Sequence, residues 1–160
     1  MIFITLGSQK FQFDRLLKKI DELIEKGTIH EEVIAQIGAS EYVPKNYTYV
    51  RFMDRNLFAE TMDRCDIVIT HGGTGVIIGA VKKNKKVIAV PRLKEYGEHV
   101  DDHQLQLLYQ FDDLKLICAC YDLNDLEQCY INLPQMKFRS YVSNTNVIIK
   151  SIEEYLQSLG

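Results

Sequence analysis

Hydrophobic and polar positions follow two different periods along the chain. Six short runs are almost wholly apolar, which is typical of strands buried on both faces of a sheet. They cover residues 2–6, 33–37, 47–52, 67–70, 87–90 and 116–120. Between them, apolar residues return every three or four positions, as on one face of an amphipathic helix. The clearest helical stripe is Phe13, Leu16, Leu17, Ile20, Leu23 and Ile24.

Strands that alternate with helices in this way predict a parallel sheet covered by helices on both faces. We expect residues 1–160 to form a single doubly wound, Rossmann-type α/β domain with about six parallel strands. Asn56 is expected to cap the helix after the third strand, and Asp101 or Asp102 the helix after the fifth. An apolar stripe over residues 148–159 predicts a last helix, which could cover the sheet or dock on another chain.

Composition limits the function without identifying it. The chain is 46% hydrophobic and 26% charged, which is ordinary for a globular domain, and its net charge of −3 gives no sign of a nucleic-acid surface. Its start, Met1 to Gly7, lacks the basic region of a signal peptide, and no run of about 18 apolar residues would span a membrane. The cysteines are expected to remain packed thiols in a reducing cytoplasm: Cys65, Cys118, Cys120 and Cys129.

Two glycine-bearing loops follow the first and fourth strands, and each opens onto a helix. The first holds Gly7 and Ser8, and the second reads His71-Gly72-Gly73-Thr74-Gly75. In the usual strand order of a doubly wound sheet these loops are neighbours at the carboxyl edge, where ligands bind. Glycine lets a ligand approach the backbone, and the amides of a first helical turn favour negative charge. The two loops together predict a phosphate or diphosphate site, although for either loop alone a tight turn would explain the glycines equally well.

The spacing of the glycines argues against two common phosphate ligands. No lysine follows them, as a Walker A loop for ATP requires. Gly73, Gly75 and Gly79 are one residue too widely spaced for the dinucleotide fingerprint, and the next strand ends in Val90 and Pro91 without an acidic residue. ATP and NAD are therefore both disfavoured.

A polar loop after the fifth strand belongs to the same predicted edge. It carries side chains that could hydrogen-bond to sugar hydroxyls, namely Glu98, His99, Asp102, His103 and Gln104. A helix cap with solvated neighbours would explain one aspartate, but not this density of polar groups. His99 and His103 are four residues apart, yet Val100 stands where a zincin has its glutamate, and a third ligand is missing. We therefore expect no metal.

The stretch from Asp66 to Gln104 resembles the carboxyl-terminal domain of glycosyltransferase family 28, which includes the MurG-type transferases. The likeness rests on His71-Gly72-Gly73-Thr74-Gly75, Val90-Pro91-Arg92, Gly97-Glu98-His99 and Asp102-His103-Gln104. With the opening segment Thr5-Leu6-Gly7-Ser8, it extends over nearly the whole chain. The stand-alone members are the most similar. They are the PssE/EpsF-type subunits of exopolysaccharide and capsule transferases and the soluble subunit of the eukaryotic dolichol-linked N-acetylglucosamine transferase.

The resemblance implies the carboxyl-terminal lobe of a GT-B glycosyltransferase that is divided over two chains. This lobe would bind a UDP-sugar donor and need no further cofactor. A membrane-anchored, PssD-like partner would bring the lipid-linked acceptor and hold the complex at the inner face of the membrane. The implied reaction is hexosyl transfer in exopolysaccharide or capsule synthesis.

The resemblance also implies roles for individual residues. His71 would be catalytic, beside a diphosphate held mainly by Gly73, Thr74 and Gly75. The donor-binding residues would be Gly7, Ser8, Gly72, Gly73, Thr74, Gly75, Glu98, His99, Asp102, His103 and Gln104. Gly79 stands eight positions after His71, where related transferases often carry an acidic residue that holds the ribose.

Two other functions stay open. Because Gly79 replaces an expected acid, the chain could be a non-catalytic accessory subunit that stabilises a partner transferase. It could also be an unrelated nucleotide or phosphosugar enzyme that acts alone. Binding of UDP and turnover by the isolated chain would separate these possibilities.

Overall fold

The structure, a computed structural model, describes residues 1–140 together with positions 150 and 154. Its centre is a six-stranded sheet in the order β3-β2-β1-β4-β5-β6, in which all neighbours are parallel. The strands are β1 (Ile2–Thr5), β2 (Val33–Gln36), β3 (Thr48–Val50), β4 (Ile67–His71), β5 (Lys86–Val90) and β6 (Cys118–Ala119). This confirms the predicted doubly wound α/β fold.

Helices connect the strands. They are α1 (Asp14–Glu25), α2 (Arg55–Arg64), α3 (Thr74–Lys82), α4 (His103–Asp113) and α5 (Leu126–Asn132), with short 3₁₀ turns at Lys94–Tyr96, Leu123–Asp125 and Leu133–Gln135. The helix predicted over residues 148–159 lies outside the described residues, except for positions 150 and 154. Within the described part of the chain, no helix is long and apolar enough to cross a membrane.

The sheet separates two apolar layers, because successive side chains of a strand point to opposite faces. Ile2 and Ile4 of β1 pack into the layer that contains α1 and α5. Phe3, between them, packs into the other layer with residues of α2, α3 and α4. The continuous apolar run of this strand is therefore explained by burial on both sides.

The helix starts differ in detail from the prediction. The cap of α2 is Asp54, whose Oδ1 accepts the Leu57 amide at 2.8 Å, so the prediction of Asn56 was wrong. At the start of α4 the two predicted aspartates have different roles. Asp102 occupies the cap position, but it is Asp101 Oδ1 that accepts the amide of His103, at 3.0 Å.

The pairing of the central strands positions the loops of interest. β1 and β4 are neighbours, with Thr5 opposite Thr70, so the chain segments that follow them leave the sheet side by side. β5 lies on the other side of β4, with Val90 opposite His71. Both glycine loops and the polar loop therefore emerge at one carboxyl edge, as predicted.

Candidate functional site

The two glycine loops meet at the imidazole ring of His71. A Cβ atom placed on Gly7 would lie 2.9 Å from His71 Nε2, and one placed on Gly73 would overlap the ring at Cε1. Gly7 also has a φ of 75°, which side-chain-bearing residues rarely adopt. Both positions therefore require glycine as long as the ring keeps its place.

Helix α3 presents open backbone amides at this edge. Gly73 is its N-cap and has no side chain with which to cap the first turn. Among the residues that the structure describes, no acceptor is bonded to the amides of Thr74 and Gly75. Gly75 and the nearby Ser8 are exposed, and Thr74 is partly exposed. The positive end of the helix dipole is thus open to an anion.

Gln104 of α4 joins the loops that follow β4 and β5. Its Oε1 accepts the amides of Gly72 and Arg92, both at 3.0 Å, and its Nε2 lies 3.1 Å from His71 Nδ1. Because backbone amides can only donate, Oε1 must be the oxygen and Nε2 must donate to Nδ1. His71 therefore carries its proton on Nε2, the nitrogen that faces Gly7.

Burial also decides the charge of His71. Loss of solvation lowers its pKa to about 3, and the Arg92 guanidinium and His99 act in the same direction. The ring is consequently neutral near neutral pH. It can donate a hydrogen bond from Nε2 there, but it is a poor general base.

Arg92 holds the first glycine loop in place. The side chain is buried, and its guanidinium donates to the carbonyl oxygens of Leu6 at 2.6 Å, Gln12 at 2.9 Å and Phe11 at 3.1 Å. Burial lowers its pKa to about 10, so the group stays charged near neutral pH. One cation thus positions the backbone on both sides of Gly7 and Ser8.

Glu98 lies inside the polar loop and does not face the open edge. It is completely buried, and the Arg15 guanidinium donates two hydrogen bonds of 3.0 Å to its carboxylate. Glu98 Oε1 also accepts the amide of Leu93 at 3.1 Å. Both oxygens therefore brace the loop, and the predicted contact of Glu98 with a donor sugar stays a prediction.

Two other polar residues of this loop, His99 and His103, lie next to Asp101. His99 Nδ1 is 3.2 Å from Asp101 Oδ1, and the His99 ring packs against Phe11 with 5.2 Å between ring centres. His103 Nδ1 is 3.4 Å from Asp101 Oδ2, and Asp102 is exposed. The described residues contain no group of three metal-ligating side chains arranged to hold an ion.

The structure thus sorts the predicted site residues into groups. Around the His71 ring it gathers Gly7, Gly72, Gly73 and Gln104, with Ser8, Thr74 and Gly75 at the open rim. Glu98, His99, Asp102 and His103 form and border the polar loop. Whether any of them touches a ligand stays a prediction. Arg92 and Arg15 were not predicted as site residues, and the sequence signal for Arg92 was its place in the motif Val90-Pro91-Arg92.

Comparison with known proteins identifies the family. Residues 1–156 match the glycosyltransferase family 28 C-terminal domain. The chain belongs to this family.

The fold is also similar to those of solved structures. The glycotransferase of kitacinnamycin has a TM-score of 0.60 at 14% identity, and the match covers 98% of this chain and 39% of that chain. The NMR solution structure of ALG13 also has a TM-score of 0.60, at 20% identity, with 97% of this chain and 94% of that chain covered. The fold is that of the GT-B carboxyl-terminal lobe.

Curated relatives include two yeast proteins named UDP-N-acetylglucosamine transferase subunit ALG13. The Candida albicans protein is 37% identical over 71 residues, which is 44% of this chain and 22% of that protein. The Candida glabrata protein is 30% identical over 92 residues, which is 57% of this chain and 43% of that protein. The matches therefore cover less than half the length of either relative.

Proposed function

We propose that this family 28 domain, residues 1–160, is the donor-binding subunit of a glycosyltransferase and holds the diphosphate of a UDP-sugar between its glycine loops. One observation carries the proposal. The unpaired amides of Thr74 and Gly75 stand at the same edge as the Nε2 proton of His71, where the absent side chains of Gly7 and Gly73 leave room.

The arrangement suits a leaving diphosphate. As the sugar departs, negative charge develops on the phosphate oxygens, and donors that are already oriented stabilise it without reorganising. The α3 amides and the neutral His71 are such donors. His71 would then be catalytic through a hydrogen bond, keeping its proton, and no metal is needed for this step.

The acceptor and the base would come from elsewhere. One lobe supplies only one wall of a cleft, and no group described here is placed as a general base for an acceptor hydroxyl. We therefore place the lipid-linked acceptor on a membrane-anchored, PssD-like partner, which would hold this chain at the cytoplasmic face of the membrane. The isolated chain is expected to be inactive or feeble.

The relatives' names guide the choice of donor. Both are called UDP-N-acetylglucosamine transferase subunit, so UDP-N-acetylglucosamine is the first donor to test. Transfer of a hexose in exopolysaccharide or capsule synthesis is our more specific proposal. UDP-glucose and UDP-galactose are its test donors.

A second function is favoured by one residue. Gly79 lies within α3, where it offers no carboxylate to a ribose. A chain that lacked this contact could serve only as an accessory that stabilises a partner transferase. In that case the glycine loops would bind no nucleotide.

Calorimetry distinguishes the two functions. The isolated chain should bind UDP, and UMP or uridine more weakly, because the second phosphate meets the α3 amides. Thr74→Val should weaken UDP binding about 10-fold through the lost hydroxyl, and Gly73→Asp should abolish it. Thr48→Val, the same change at an exposed position on β3, should leave it unchanged.

Two results would contradict the proposal. If UDP failed to bind even with the partner chain present, the accessory function would hold. If the purified single chain turned over a UDP-sugar with its natural acceptor, no second subunit would be needed.

A further inference from the structure

The segments that follow β1 and β5 bind each other across the end of the strand that lies between them. That strand is β4, whose last residue, His71, is paired with Val90 of β5. The Arg92 guanidinium, from the segment after β5, donates to the carbonyl oxygens of Leu6 and Phe11 in the segment after β1. Because β1 and β5 are not neighbours in the sheet, this contact passes over the end of β4.

A second contact runs in the opposite direction. Arg15, in the first turn of α1, donates two hydrogen bonds of 3.0 Å to Glu98 in the segment after β5. Beside this pair, Gln12 Nε2 donates to the Tyr96 carbonyl oxygen at 3.0 Å, and the Arg15 guanidinium lies 4.3 Å from the centre of the Tyr96 ring. Each segment thus supplies an arginine that binds the other. We call the contacts of Arg15 and Arg92 the cross-tie.

The cross-tie and the His71 ring lie on the same side of the sheet. Ile69 and Val90 pack into the apolar layer that contains α1, and side chains two positions apart on a strand share a face. His71 follows Ile69 by two residues, so its ring points to that layer. The Arg92 guanidinium lies there too, 5.1 Å from the centre of the Phe13 ring. The cross-tie therefore closes the α1 side of the His71 ring.

The two members of the ion pair differ in how well they could exist alone. The Glu98 side chain is fully buried, whereas the Arg15 side chain is 25% exposed. A buried carboxylate that has lost its cation is strongly unfavourable. Without Arg15, the charge of Glu98 would need water, and the polar loop would have to leave α1 to supply it. Without Glu98, the Arg15 guanidinium could be solvated where it stands.

We propose that Arg15 is a positioning residue for the donor site: through Glu98 it holds the polar loop against the first glycine loop and keeps the His71 ring enclosed between them. This inference rests on the proposed function, because it concerns UDP binding at the same edge. Arg15 acts through the buried carboxylate and not through contact with the nucleotide. It fixes the backbone around Gly7 and the ring that would meet the diphosphate.

The enclosure gives the proposal a signature at His71. Burial is the main cause of the low pKa of this ring, the Arg92 guanidinium is the second, and Gln104 and His99 act on it in opposite directions. If the polar loop left α1, water would reach the ring and its pKa would rise toward the ordinary value of about 6.5. A contact that only stabilised the fold would leave the pKa of His71 unchanged.

Calorimetry and NMR on the full chain test the proposal. In Arg15→Met, UDP should bind about 10-fold more weakly than in the parent. The His71 ring, assigned by the signal that disappears in His71→Gln, should titrate at about pH 3 in the parent and closer to about pH 6.5 in Arg15→Met. Glu98→Gln should have smaller effects of the same sign, because it leaves no unpaired charge in the interior.

Lys18→Met is the matched control. Lys18 lies one turn further along α1 and is exposed, so the variant loses the same charge and gains the same side chain outside the cross-tie. UDP binding and the His71 titration should both stay as in the parent. Equal weakening of UDP binding in Lys18→Met and Arg15→Met would mean that net charge, and not the cross-tie, controls the site.

Two further variants keep the test independent of folding. The double variant Arg15→Met/Glu98→Gln removes both charges and should bind UDP more tightly than Arg15→Met alone. Arg15→Lys keeps the cation but loses the paired hydrogen bonds, and it should show the same two effects in weaker form. Circular dichroism shows which variants are folded, and Arg15→Lys replaces Arg15→Met if the latter is not.

Two outcomes besides the control would overturn the proposal. One is UDP binding in Arg15→Met that equals that of the parent. The other is an unchanged His71 titration in the same variant, which would show that Arg15 does not act through the enclosed ring. If the parent itself bound no UDP, the proposed function would fail and the donor role of Arg15 with it, whereas the titration would still show whether the cross-tie encloses His71.

Discussion

The two edges of the sheet are both polar, yet they differ in what they leave unpaired. At the amino edge of β4 and β5 lies a cavity of about 480 Å³. Its charged groups already bind one another or the backbone. The Met1 amino group lies 3.2 Å from both Glu31 and Asp66, and Lys86 Nζ donates to the Leu133 carbonyl at 3.3 Å.

At the carboxyl edge the buried charged side chains also bind one another or the backbone, although within the described residues Nε of Arg92 has no acceptor, and the first backbone amides of α3 are unpaired. Arg92 and Glu98 form hydrogen bonds that hold the loops in place, whereas the first amides of α3 have no side-chain cap. An anion gains more from unpaired donors than from a cavity whose donors are occupied. This is the reason why we propose the carboxyl edge for the ligand despite the cavity at the other edge.

In the comparison of the two edges, the largest effect on UDP binding is expected from one added charge. Gly75 has open space around its Cβ position, so Gly75→Asp introduces a carboxylate in the first turn of α3 without a steric clash. Like charge beside the diphosphate should weaken UDP binding roughly 100-fold. An acid in the first helical turn should leave stability unchanged or slightly higher. Calorimetry and thermal unfolding measure the two effects.

The matched control puts the same charge on the other edge. Asn84 lines the cavity at the amino edge and has a φ of 58°, a conformation that aspartate tolerates. Asn84→Asp should leave UDP binding unchanged. Equal weakening by both variants would mean that net charge, and not the α3 amides, controls binding.

Buried and half-exposed cations should differ in what they contribute to stability. Arg92→Met leaves the carbonyl groups of Leu6, Phe11 and Gln12 without their donor and should lower the free energy of unfolding by about 3 kcal/mol. Lys86→Met at the amino edge loses two long hydrogen bonds near solvent and should cost less than about 1 kcal/mol. Urea unfolding measures both, and similar losses would contradict the role assigned to Arg92.

What could be predicted from the sequence depends on whether a feature arises from a local pattern or from a contact between distant residues. The fold class follows from local patterns, because buried strands and amphipathic helices differ in hydrophobic period. The adjacency of the glycine loops then follows from the usual strand order of that fold class. Glu98 and Gln104 were predicted to contact the donor, and their bonds within the protein could not be predicted. Arg15 is 83 residues from Glu98, and no local pattern reveals a pair formed at that separation.

Helix capping shows the same limit on a smaller scale. Asn56 and Asp54 are both good capping residues two positions apart, and the backbone conformation at Asp54 decides between them. The prediction at α4 was closer because either aspartate was allowed there. Only the structure shows that Asp102 uses its Oδ1 for the amide of Lys94 instead.

The low pKa of His71 should make the free energy of unfolding depend on pH in the acid range. An unfolded histidine takes up a proton near pH 6.5, whereas His71 does so only at about pH 3. Between these values the unfolded state binds more protons. The free energy of unfolding therefore falls as pH falls through this window, by up to about 1.4 kcal/mol per pH unit.

His71→Gln should remove this component, because glutamine does not titrate. The measured quantity is the difference between variant and parent in urea unfolding from about pH 7 to about pH 4, which cancels the carboxylates common to both. A His71→Gln curve that ran parallel to the parent would show that His71 titrates normally.

The smallest expected effect is a modest increase in UDP affinity from a substitution in α3. Gly79 lies in α3 with nothing within 4 Å of its Cβ position, so a Cβ atom can be added there without displacing a neighbour. If the ribose of UDP lies along this helix, the carboxylate of Gly79→Glu can accept its hydroxyls and should tighten binding by about 3- to 10-fold.

Gly79→Ala separates that contact from the helix itself. Replacing a glycine inside a helix should raise the free energy of unfolding by about 0.5–1 kcal/mol in both variants, but only glutamate offers an acceptor. Binding of UDP should therefore improve in Gly79→Glu alone, and the improvement should vanish with a 2′,3′-dideoxyribose analogue of UDP. Equal affinities in the two variants would place the ribose away from α3 and would restrict the carboxyl edge to the diphosphate.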